Sequence, residues 1–139
     1  MTLDTPTILP DHIQHAQSGR RKTICVTAVL TALGVPASGF HYTGTLADNR
    51  RVQILNRHGF SCRSRLSAIG GRGTTIGKAR KKIASLGDAP GTMYMVAVKT
   101  SKTAHLMLLD SNGQTVVDTA PRKADKRRIV TVHAVQKSS

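Results

Sequence analysis

The chain has 139 residues, 39% of them hydrophobic and 20% charged, with 21 Lys+Arg against 7 Asp+Glu for a formal net charge of +14. That length buries one core and is short for two, and the composition lies outside the disordered class. No apolar run approaches the roughly 18 residues of a membrane span, and residues 1–10 lack the basic-then-apolar order of a signal peptide; the expectation is an intracellular chain that is not secreted and does not engage a membrane.

Residues 1–18 carry Pro6, Pro10, His12, His15 and Gln17 without apolar periodicity and are expected to form a flexible N-terminal segment. Residues 19–136 are expected to form a single domain. After Thr23, the residues Ile24, Val26, Ala28, Val29, Leu30, Ala32 and Leu33 are apolar nearly all round a helix that stops at Gly34, with Pro36 beyond: a buried central helix. Residues 46–58 mix Leu46, Val52, Ile54 and Leu55 with Asp48, Arg50, Arg51 and Arg57, the pattern of a surface helix ending at Gly59. A Gly-, Ser- and Arg-rich stretch, residues 61–73, reads as a loop. Thr74 or Thr75 then caps a helix with Ile76, Ala79, Ile83 and Leu86 at helical spacing and Lys78, Arg80, Lys81 and Lys82 on its other face, stopped by Gly87.

The last third reads as strands, residues 92–98, 104–110, 115–118 and 128–135, with Asn112-Gly113 as a two-residue hairpin turn between the second and third. Helices first and an antiparallel sheet after them is the order of an α+β domain.

Cys25 falls in the first turn of the central helix, where the helix dipole and unpaired N–H groups stabilise a thiolate. The bland alternative is a small buried hydrophobe. A two-residue turn would set Met107 opposite Asp118 and His105 opposite Ala120, so that His105, Met107 and Asp118 share one face and the imidazole and carboxylate become diagonal neighbours. Asp110 has the opposite parity. Cys62, in the basic loop Ser61-Cys62-Arg63-Ser64-Arg65, has no helix start after it and reads as structural or surface; with two cysteines and no disulfide framework, both are expected as thiols. His12, His15, His41, His58 and His133 lack the strand-paired acid that His105 has. No Cys/His spacing suits zinc and no phosphate-binding fingerprint occurs, so neither metal nor cofactor is expected.

Thiolate, imidazole base and acidic orienter, in that chain order, are what a cysteine nucleophile requires. The chain here resembles the papain-like cysteine peptidase superfamily, including its bacteriocin-processing and cell-wall-peptide branches, and in particular small papain-like proteins encoded by tailed phages. The matching text is Arg20-Arg21-Lys22-Thr23-Ile24-Cys25, Thr75-Ile76, Pro90-Gly91-Thr92-Met93-Tyr94, His105, Asp110, Gly113, Asp118 and Arg127-Arg128, spread over residues 23–135. The resemblance implies a papain-like fold and a hydrolase or acyl transferase acting on a peptide or protein substrate in the bacterial host cytoplasm. It gives Cys25 as nucleophile, His105 as base and Asp118 as orienter. Six residues before the cysteine, where the superfamily often places an oxyanion-stabilising Gln, stands Gly19; Gln17 is the candidate donor. The alternative is a catalytically silent basic protein on the same fold, serving host takeover or contacting nucleic acid or acidic proteins nonspecifically through its surface.

Overall fold

A computed structural model describes residues 24–35, 48–100, 104–119 and 126–137. In chain order these form helices α1 (Ile24–Ala32) and α2 (Asp48–Arg57), strand β1 (Phe60–Ser64), a single 3-10 turn (Ser67–Ile69), helix α3 (Ile76–Ser85) and strands β2 (Met93–Lys99), β3 (Ala104–Leu109), β4 (Thr115–Val117) and β5 (Ile129–Lys137). The strands make one antiparallel sheet in the order β1-β5-β2-β3-β4. The expected α+β class is therefore observed. The expected N-terminal segment, residues 1–18, lies outside the described residues.

Alternation along the inner strands sorts side chains into two cores. Met93, Met95 and Ala97 of β2 and Leu106 and Leu108 of β3 join α1 and α2, through Val26, Val29, Leu30, Ile54 and Leu55, on one face of the sheet. Tyr94, Val96, Val98, Met107 and Leu109 join Ile76, Ala79 and Ile83 of α3 on the other. Burial on both faces is why β2 and β3 read as almost unbroken apolar runs rather than as polar/apolar alternation. Helix α1 is apolar nearly all round, and its described side chains are buried apart from half-buried Thr31.

Three sequence expectations are corrected. The stretch expected as a loop contains β1, inserted between α2 and α3, so helices and strands are not strictly segregated. Only Phe60 is buried there and Cys62 half-buried among exposed residues, a short edge strand whose backbone hydrogen bonds come from β5. Helix α3 does begin after Thr75, but the threonine side chain makes no capping bond. Instead the Ile76 N–H donates to the Arg127 carbonyl at 2.9 Å, and the segment before β5 satisfies one of the helix's orphan donors.

The third correction concerns the hairpin. The turn is a three-residue loop, residues 111–113, closed by Asp110 N–H to the Gln114 carbonyl at 2.9 Å and by Gly113 N–H to the Asp110 carbonyl at 3.0 Å. Gly113 takes a positive φ of 76°, the left-handed position that ends such loops. Asp110, of the wrong parity for the site, spends its Oδ1 on the Asn112 and Gln114 N–H groups. The extra loop residue pairs Leu109 with Thr115, one out of the expected register, and a bulge between Leu108 and Leu109 restores it, with Leu108 opposite Val117. Two irregularities cancel, and Asp118 still arrives beside the His105 end of β3.

Gly113 also lies against α3: a Cβ there would stand 2.3 Å from the Arg80 carbonyl oxygen, and Arg80 Nη1 donates to the Gly113 carbonyl at 2.9 Å. Gly113→Ala combines a disfavoured φ with a backbone overlap and is expected to cost about 2 kcal/mol or more. The urea unfolding midpoint measures it, and an unchanged midpoint would mean the hairpin does not rest on α3 as described.

Candidate active site

The central residues all sit at element ends. Cys25 is the second residue of α1, His105 the second of β3, Asp118 the first after β4, and Arg127 lies two before β5. Because β3 and β5 both run antiparallel to β2, they start at the same end of the sheet, and β4, antiparallel to β3, finishes there. Strand topology therefore gathers His105, Asp118 and Arg127 at one sheet end, and Cys25 on α1 joins them through His105.

There His105 Nε2 meets Asp118 Oδ1 at 2.8 Å, and Arg127 Nη2 donates to Asp118 Oδ2 at 2.8 Å. The side chains of His105, Asp118 and Arg127 are 11%, 5% and 12% exposed. The Cys25 side chain shares a hydrogen bond with the same imidazole. With Nε2 committed to Asp118, the ring nitrogen left for the thiol is Nδ1. The result is a line of partners, Cys25, His105, Asp118, Arg127, running from a helix start through two strand ends to the segment before β5.

Opposing influences set the charge on His105. Burial, the largest single one, favours the neutral ring, but the hydrogen bonds to Asp118 and Cys25 and the electrostatic attraction of both together outweigh it, raising the pKa from 6.5 to about 9. The imidazole is thus held protonated at neutral pH between the Asp118 carboxylate and the Cys25 sulfur. Such a cation can hold a thiolate in place and later release its proton.

Cys62 is a poor competitor, since burial alone pushes its thiol up to about 11 and leaves little thiolate at neutral pH. No disulfide joins it to Cys25. Exposed His58 and half-buried His133 are away from the line of partners. Gln17, His12, His15, His41 and the basic lead-in Arg20 to Lys22 lie outside the described residues. No cluster of metal-binding side chains occurs among the described residues, and no helix among them is long and apolar enough to cross a membrane.

In the sequence Arg127 is only half of an Arg doublet, with no sign of a role. It holds the second oxygen of Asp118 while its own carbonyl receives the first N–H of α3. No local pattern could have shown this, because the partners come from separate strands. A second network was also missed: Asp88, 7% exposed, takes Arg63 at 2.9 Å and Arg65 at 3.2 Å on one oxygen and the Tyr94 hydroxyl on the other. It ties the segment after α3 to β1 and β2. Compared with known protein families, with characterised proteins and with solved structures, the chain has no match in any of the three.

Proposed function

We propose that the chain is a papain-like cysteine hydrolase of the kind encoded by tailed phages, acting on an amide of a peptide or protein by acyl transfer through Cys25. The observation that carries this reading is the hydrogen-bonded line from Cys25 through His105 to Asp118, with the cysteine in the first turn of a buried helix. In the proposed reaction the Cys25 sulfur attacks the carbonyl carbon and a C–S bond forms. The imidazolium of His105 gives its proton to the departing amine. Water, deprotonated by the now neutral ring, then cleaves the thioester and returns the thiol. Asp118 keeps the ring oriented and stabilises its charged form, and Arg127 fixes Asp118.

The test is alkylation by iodoacetamide at pH 7 in a Cys62→Ser background. Cys25 is expected to react roughly 10- to 100-fold more slowly once His105 is changed to Ala, because the cation that holds its thiolate is gone. Cys25→Ala is expected to remove both the labelling and any cleavage of a peptide library while the urea midpoint stays near that of the parent. Labelling that is slow and indifferent to His105 would overturn the reading and leave the basic binding protein, a reading the +14 charge supports.

A further inference from the structure

We propose that the outer face of α3, with the segment that caps its N-terminus, is a docking surface for the phosphate backbone of duplex nucleic acid. This stands apart from whether Cys25 reacts. The face presents Lys78, Lys81 and Lys82 in one exposed stripe, with exposed Arg72, Lys126 and Arg128 around the start of the helix. Arg128 is anchored there: it bridges to Thr75, and its Nη1 donates to the Gly73 carbonyl at 2.8 Å.

Among the described residues no acid balances these cations. The seven acidic residues are all aspartates, and the three whose side chains are described are spent elsewhere. Asp88 serves Arg63, Arg65 and Tyr94, Asp110 its own turn, and Asp118 serves His105 and Arg127. The cations are also placed against the local rules of helix stability. The first turn of α3 holds no acid and carries Lys78, where the helix dipole disfavours a cation. Lys78 repels Lys81 and Lys82, three and four residues on, by a few tenths of a kcal/mol per pair. A polyanion laid along the stripe removes both penalties.

The rest of the face indicates which polyanion. Beside the lysines stand exposed Gly77, Ala84 and Ser85, with no exposed aromatic or large aliphatic residue on the helix to anchor a protein partner. Gly77 has open space around it and no positive φ, so neither packing nor backbone conformation demands it. A bare helix surface beside the lysines lets a backbone approach closely. Phosphate contacts need charge and access and no stacking platform, and Tyr94, on the sheet beneath α3, is fully buried.

The experiment is fluorescence anisotropy of a labelled DNA duplex of about 20 base pairs against the full chain, titrated with salt. Lys78→Glu/Lys82→Glu is compared with Arg50→Glu/Arg57→Glu, which makes the same change in net charge on α2, across the sheet. An acid at position 78 suits the helix dipole, and equal thermal midpoints for the two variants and the parent establish that both are folded. The α3 variant is expected to flatten the slope of log K against log salt by about 2 and to weaken binding at least tenfold near 0.1 M salt, with the α2 variant close to the parent. Equal losses from both variants would make the attraction a property of bulk charge and overturn the proposal. Tighter binding of an oligo-glutamate peptide of matched charge would overturn it in favour of an acidic protein partner. A parent that does not bind the duplex at 0.1 M salt would overturn it outright.

Discussion

Asp118→Asn is expected to lower the His105 pKa from about 9 toward its ordinary 6.5 and to reduce any Cys25-dependent turnover by roughly 10²- to 10⁴-fold. Burial works against the charged ring, and the carboxylate at 2.8 Å is foremost among the influences that overcome it. An amide can still accept from Nε2 but brings no charge. The check is titration of the imidazole resonances by NMR; a pKa still near 9 would assign the elevation to Cys25 alone and remove Asp118 from the mechanism.

The same shift carries a stability statement. A histidine whose pKa is about 9 folded and 6.5 unfolded contributes stabilisation that is complete below about pH 6.5 and disappears as the pH rises through about 9, amounting to about 3 kcal/mol. Parent urea midpoints should therefore fall between pH 6.5 and 9, and those of Asp118→Asn should be flatter over that window. Arg127 complicates a single substitution, since removing its carboxylate leaves a guanidinium only 12% exposed without that countercharge and costs roughly 3–5 kcal/mol. Asp118→Asn/Arg127→Gln removes both charges, keeps a folded protein, and allows the imidazole titration to be read.

Asp88→Ala is expected to destabilise the fold by about 2–4 kcal/mol, measured by urea unfolding. The carboxylate is 7% exposed and accepts from three groups, of which Arg63 is 63% exposed and loses little when released. The cost comes from Tyr94, whose hydroxyl is bound to Asp88 within the sheet, and from Arg65, 23% exposed. Burial first, and Asp88 second, push the Tyr94 pKa upward, so its hydroxyl stays protonated and needs an acceptor. Asp88→Leu/Tyr94→Phe, which deletes donor and acceptor together, should recover part of the loss. A cost below about 0.5 kcal/mol for Asp88→Ala would mean the network is no stronger than an exposed ion pair.

The sequence by itself determined the features whose causes are local. Helical spacing of apolar residues with Gly34, Gly59 and Gly87 as stops marked α1, α2 and α3 to within a few residues, because helix bonds close within four positions. Cys25 in a first turn, and His105 and Asp118 as diagonal neighbours, followed from a cap position and from the period of two along a hairpin. Even the longer turn did no harm to the pair, since the bulge between Leu108 and Leu109 compensated for the extra loop residue.

Tertiary structure decided what depends on non-sequential pairing. Strand β1 carries one buried and one half-buried apolar residue among polar ones, too few for a pattern, and exists because β5 returns to pair with it. That return sets β5 between β1 and β2 and starts it at the end of the sheet where β3 also starts. Arg127 thereby reaches Asp118, and its carbonyl serves α3 where Thr75 does not. The Asp88 network joins residues 23 and 25 apart by the same closure. Strand order and the approach of distant side chains leave no periodic trace in a sequence, because they arise from burying two sheet faces at once rather than from any bond within a few residues of chain.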